Sequence, residues 1–109
     1  MSFDMNKLMQ QAAQMQEQVA KMQEEAQKEI AESSVGGGMV KVKANGAGEV
    51  LSITISPDAI DPADAEGLGD LVLAGVNEAL RSASAAVDAK AQQMQSELLG
   101  GLGLPGLGE

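Results

Sequence analysis

Residues 36–56, GGGMVKVKANGAGEVLSITIS, decide how the chain folds. After three glycines comes an alternating run, MVKVKA, with Val40, Val42 and Ala44 on one face and Met39, Lys41 and Lys43 on the other. A second run, EVLSITIS, sets Leu51, Ile53 and Ile55 against Val50, Ser52 and Thr54. A period of two marks half-buried strands, because successive side chains of an extended chain point to opposite faces. Between the runs, NGAG offers Asn45 and Gly46, which take positive φ at little cost, so the strands close as an antiparallel hairpin. A four-residue loop places Val42 opposite Leu51 and Val40 opposite Ile53, whereas a two-residue loop sets Glu49 against Val42. The four-residue loop keeps apolar partners together and is the expected one.

The same stretch has glycines and lysines, the ingredients of a phosphate-binding loop. Such a loop runs from strand through glycines to Gly-Lys-Ser/Thr and a helix, so that backbone N–H groups converge on the phosphate. Here the glycines precede a strand and neither lysine follows a glycine, which argues against a nucleotide cradle.

Upstream, residues 3–29 contain no Gly or Pro and are rich in Gln, Glu, Lys, Met and Ala, all good helix formers. Met5, Leu8, Ala12, Met15, Val19, Met22 and Ala26 alternate at spacings of three and four, the seam of a coiled coil. At 1.5 Å per residue the helix is about 40 Å long, far beyond the roughly 13 Å radius of gyration of a compact domain of this size. It protrudes, and its seam needs a partner. Methionine in such a seam is ordinary gap filling, although Met5, Met9, Met15 and Met22 also suit an adaptable groove for a ligand. EIAESS, residues 29–34, fits either a third strand or an extension of the helix.

Downstream, Asp61 followed by Pro62 reads as an N-cap with proline in the first helical position. Asp58, Asp61, Asp64, Glu66 and Asp70 crowd that start, where the helix dipole favours them. From about Leu68 to Leu99 a second helix follows, its stripe formed by Leu71, Val72, Val76, Leu80, Ala83, Val87, Ala91, Met94 and Leu98. Gly100 suits the stop, and GGLGLPGLGE, residues 100–109, reads as a flexible glycine-rich tail. The fold class is α+β: a long N-terminal helix, a small antiparallel sheet of two or three strands and a long C-terminal helix. Two helices that overshoot a small sheet cannot enclose a core alone, and a homodimer with a shared body and projecting helices solves this.

Composition limits the chemistry. Among 109 residues there is no His and no Cys, which removes the usual zinc ligand sets, a cysteine nucleophile and any histidine-based triad. No apolar run approaches the roughly 20 residues of a bilayer span, and MSFDMNK lacks a signal-peptide pattern, so a cytoplasmic, membrane-free protein is expected. Neither helix has an excess of cations on its polar face, which argues against a membrane-surface role. Phe3 is the only aromatic residue, so stacking on unpaired bases is excluded and nucleic acid must be met through duplex shape and phosphates.

NKLMQQAAQMQEQVAKMQEE, then GGGMVKVKANGAGEVLSITISPDAID, then DLVLAGVNEALRSA resemble, in that order, the YbaB/EbfC family of bacterial nucleoid-associated proteins. The likeness spans about residues 4–97; its most specific parts are the VKV strand, the NG turn, the second strand running into a helix that starts at DP, and VNEAL. It implies one α-β-β-β-α domain over residues 1–99, a tweezer-like homodimer, and binding of double-stranded DNA with little sequence preference. It implies a nucleoid location, no enzymatic activity, no small-molecule substrate, and no cofactor or metal.

Charge distribution tests that implication. The chain carries a formal net charge of -9, and a dimer of such chains is repelled by DNA unless its cations are grouped. Residues 1–32 are net -3, residues 33–56 net +1 and residues 57–109 net -7. Lys7, Gln14, Lys21 and Lys28 recur every seven residues, a basic stripe by geometry, yet Glu17 and Glu24 stand four residues before Lys21 and Lys28 in the order that favours self-pairing. Arg81 has Glu78 one turn earlier, and Lys90 stands among small residues. Lys41 and Lys43 have no acid adjacent in sequence, although lysines on an outer sheet face also serve solubility. Candidate DNA contacts are therefore Lys7, Lys21, Lys28, Lys41, Lys43, Arg81 and Lys90. The alternative is a coiled-coil interaction or holdase-like dimer with negligible affinity for DNA.

Overall fold

The computed structural model describes residues 4–101. The elements run α1 (Met5–Lys28), β1 (Ile30–Val35), β2 (Val40–Asn45), β3 (Val50–Ile55) and α2 (Ala65–Gly101), with 3₁₀ turns at Pro57–Ala59 and Pro62–Asp64 before α2. The sheet is antiparallel in the order β1-β2-β3. EIAESS is thus chiefly strand, and α1 stops at Lys28 with Glu29 already extended. From residue 102 on, the expected tail lies outside the described residues.

Each element starts and stops for a local reason. The Asp4 carboxylate accepts from the Lys7 amide at 3.2 Å and opens α1. At the other end, the Gly46 amide donates to the Ala26 and Glu29 carbonyls, each at 2.9 Å, so the hairpin tip shares the Ala26 carbonyl with the Glu29 amide and ties down the end of the helix. Gly36, Gly37 and Gly38 all take positive φ, 63°, 68° and 90°, and reverse the chain between β1 and β2. α2 begins later than its first proline signal suggests. Asp61 accepts from Ala63 and caps only the 3₁₀ turn, whereas Asp64 accepts from the Gly67 amide at 3.1 Å at the start of α2. The helix also runs through Gly100 to Gly101.

The β2–β3 hairpin corrects the expected register. Val40 pairs with Ile55, Val42 with Ile53 and Lys43 with Ser52; the pairing then shifts so that Ala44 meets Val50. The Asn45 amide donates to the Glu49 carbonyl at 2.9 Å and the Gly48 amide to the Asn45 carbonyl at 3.2 Å, so the loop holds three residues, Gly46 to Gly48. Positive φ falls on Gly48 (88°), not on Asn45 or Gly46. Asn45 acts through its side chain: Oδ1 accepts from the Ala47 and Glu49 amides, and Nδ2 donates to the Glu49 carboxylate. A three-residue loop plus one extra residue on β3 slides the pairing beyond the bulge by two positions, an even number, so Ser52 to Ile55 keep their faces, whereas Val50, paired with Ala44, leaves the face of Ser52 and Thr54.

α2 lies across the face that carries Val40, Val42 and Ala44, which are fully buried together with Ala79 and Ala83. Val35, Ile55, Leu68, Leu71, Val72, Val76 and Leu80 complete the packing. Close approach is set by Gly75, where an added Cβ would sit 3.0 Å from Val42 Cγ2 and 3.4 Å from Val35 Cγ2. The Ser33 hydroxyl, buried, donates to the Gly75 carbonyl at 2.6 Å and ties β1 to the helix. Thirty-seven residues of helix extend about 55 Å, against about 20 Å for a six-residue strand. The stripe therefore runs off the sheet, and Met94 and Leu98 are exposed. α1 has no buried residue; Met5, Leu8, Met15, Val19 and Met22 of its seam are exposed. The described residues measure 75 × 37 × 18 Å, with a radius of gyration of 21.1 Å.

Candidate nucleic-acid interface

The face of the sheet turned away from α2 is built by alternation. Glu32 and Ser34 on β1, Lys41 and Lys43 on β2, and Ser52 and Thr54 on β3 all point there, and all are exposed. Cross-strand pairing places Lys41 between Ser34 and Thr54, and Lys43 between Glu32 and Ser52. Lys43 Nζ lies 3.8 Å from Glu32 Oε2 with both side chains about half exposed, an ion pair that solvent largely screens. A lysine with no acidic neighbour in sequence thus acquires one across the ladder. Lys41 has no carboxylate within 4.0 Å among the described residues.

Lys7, Lys21 and Lys28 are exposed along α1, on a helix that touches the body only near its C-terminal end. The pairs Glu17–Lys21 and Glu24–Lys28 do not close: among the described residues no carboxylate comes within 4.0 Å of these lysines. Arg81 is exposed on α2, equally without a closed pair to Glu78.

Lys90 differs from all of these. Its Nζ lies 3.1 Å from Glu29 Oε1 and 3.4 Å from Glu25 Oε2, joining α2 to the last turn of α1. Hydrogen bonds to Glu29 and then Glu25 raise its pKa above the ordinary lysine value. Isolation in sequence concealed this, because both partners are more than 60 residues away. Beside this junction Val19, Met22 and Ala26 of α1, Gly46 and Ala47 of the hairpin tip and Val87 of α2 line an open groove of about 630 Å³.

The seven candidate cations thus fall into three places: α1 with Lys7, Lys21 and Lys28, the open sheet face with Lys41 and Lys43, and α2 with Arg81 and Lys90. Among the described residues no cluster of acids suits a metal ion, and no helix is long and apolar enough to cross a membrane.

Residues 1–98 match the YbaB/EbfC DNA-binding family. A protein named nucleoid-associated protein from Thermoanaerobacter pseudethanolicus is 50% identical over 105 residues, covering 96% of this chain and 91% of the relative. Another of that name, from Pelotomaculum thermopropionicum, is 47% identical over 107 residues and covers 98% of each chain. In three dimensions the fold is similar to that of an uncharacterized protein from Helicobacter pylori, with a TM-score of 0.63, 23% identity, and coverage of 90% of this chain and 99% of the other. On its sequence and its α-β-β-β-α architecture, the chain belongs to the YbaB/EbfC DNA-binding family.

Proposed function

We propose that this protein binds double-stranded DNA as a homodimer, with little sequence preference, through phosphates and duplex shape. It acts in the cytoplasm at the nucleoid, where such binding influences nucleoid organisation and gene expression. The observation that carries this reading is the match of residues 1–98 to a DNA-binding family. The geometry supports it: Lys7, Lys21, Lys28, Lys41 and Arg81 are exposed with no carboxylate within 4.0 Å among the described residues, leaving their charges available to phosphates. A homodimer is supported by the apolar surface one chain leaves open, with Val50, Leu51 and Ile53 of edge strand β3 each at least 40% exposed.

A salt titration of duplex binding tests the reading. The logarithm of affinity is expected to fall linearly with the logarithm of salt concentration, as counterion release requires. Undetectable binding even in about 50 mM salt overturns it. One observation favours a second reading, a coiled-coil interaction or holdase-like dimer: the seam of α1 is exposed from Met5 to Met22. That reading predicts polypeptide binding without any salt-dependent affinity for DNA.

A further inference from the structure

We propose that the open face of the sheet is the main phosphate-contact surface, with Lys41 at its centre and the helix lysines secondary. The proposal rests on the DNA-binding reading above and assigns its site. Lys41 stands on the middle strand, flanked across the ladder by the hydroxyl residues Ser34 and Thr54, with Ser52 beside Lys43. A cation among hydroxyls offers a phosphate one ionic partner and further donors for its other oxygens. Lys41 and Lys43 are two residues apart, about 6.7 Å along a strand, equal to the axial rise of two nucleotides at about 3.4 Å each. Glu32, Ser34, Lys41, Lys43, Ser52 and Thr54 are all exposed, and α2 packs on the opposite side.

Charge supports the same choice. The outer face carries Lys41 and Lys43 against one carboxylate, Glu32, whereas α1 sets three lysines against Glu17, Glu24 and Glu25 and is neutral overall. Lys7 and Lys28 are also separated by about 32 Å of helix, so their charges do not converge. The face contains no aromatic side chain, which favours a duplex backbone over unpaired bases. Glu32, 3.8 Å from the Lys43 ammonium, competes with a phosphate for that lysine and sets a brake on affinity.

The test compares variants with equal charge changes by fluorescence anisotropy on a duplex of about 30 base pairs in about 50 mM salt. Lys41→Gln with Lys43→Gln is expected to weaken binding about tenfold or more and to flatten the salt dependence by about 0.9 for each phosphate that is no longer neutralised. Lys7→Gln with Lys21→Gln, which removes the same two charges, is expected to cost less than about threefold. Glu32→Gln is expected to tighten binding, and Glu17→Gln to leave it unchanged. Equal or larger losses from the helix pair, or no gain from Glu32→Gln relative to Glu17→Gln, overturn the sheet-face site while DNA binding by the unmodified protein stands. No binding by the unmodified protein overturns both. Inorganic phosphate at constant ionic strength is expected not to displace the duplex; full displacement would assign the face to free phosphate and overturn the proposal. Circular dichroism melting curves are expected to coincide for all variants, since every substituted side chain is exposed.

Discussion

Gly37 and Gly46 both sit in turns, for different reasons. Gly37 needs its φ of 68° and has open space around it, whereas Gly46 has an ordinary φ but no room. A Cβ on Gly46 would collide with Val87 Cγ2 and lie 2.9 Å from the Ala26 carbonyl oxygen, a backbone atom that moves only if α1 moves. In chemical unfolding, Gly37→Ala is expected to cost about 1–2 kcal/mol from left-handed strain. Gly46→Ala is expected to cost about 1–3 kcal/mol from overpacking. The causes separate on replacement by Asn, which tolerates the left-handed region: Gly37→Asn recovers part of the loss and Gly46→Asn does not. Val42→Ala, on a fully buried side chain, is expected to cost about 2 kcal/mol or more from lost transfer energy and the cavity left behind.

At the scale of elements, α1 is held at one end. The Gly46 amide binds its last carbonyls, and Lys90 holds Glu25 and Glu29 from α2. With no buried residue of its own, α1 owes its angle to this junction. Lys90→Gln is expected to speed amide exchange at residues 26–29 and at Gly46 while leaving the melting temperature nearly unchanged, because the ion pairs are exposed. Faster exchange throughout the sheet would contradict a local latch. The pH dependence has a definite sign: the pKa of Lys90 is raised, so its stabilising share is complete below the ordinary value of 10.5 and is lost only as pH climbs through the raised value. Exchange at residues 26–29, corrected for its intrinsic pH dependence, should therefore stay constant on the lysine's account across neutral and mildly alkaline pH.

At the scale of the whole molecule, a radius of gyration of 21.1 Å far exceeds the roughly 13 Å of a compact chain of about 100 residues. Most of α1, the far half of α2 and the edge strand keep apolar side chains in water. If a second copy covers the edge, light scattering reports twice the 11.1 kDa chain mass. Leu51→Lys with Ile53→Lys should halve that mass and weaken DNA binding together, since paired sites bind through effective concentration. A variant that stays dimeric would place the interface elsewhere.

Period and composition were enough for the elements. Three-four spacing in residues 5–26 and alternation in 39–44 and 49–56 reflect forces within a few residues, and the structure contains a helix or strand at each, whereas the Asp-Pro signal opens only a 3₁₀ turn and α2 starts at Ala65. Pairing register was less legible, because a three-residue loop with a bulge and a four-residue loop both set Val40 and Val42 opposite apolar β3 residues, so alternation alone does not choose between Ile55 and Ile53 as the partner of Val40. Gly75 and Ser33 carry no periodic signal; their roles emerge only when α2 lies on β1 and β2. The same holds for charge: counting along the chain left Lys43 unopposed and Lys90 isolated, and folding brought Glu32 to one and Glu25 and Glu29 to the other. Local pattern thus sufficed for the α-β-β-β-α order, the two faces of the sheet and the family. Which cations remain uncompensated and where α1 is anchored emerged only in three dimensions, because Coulomb pairing and close packing depend on distance in space, and residues far apart in sequence supply the partners.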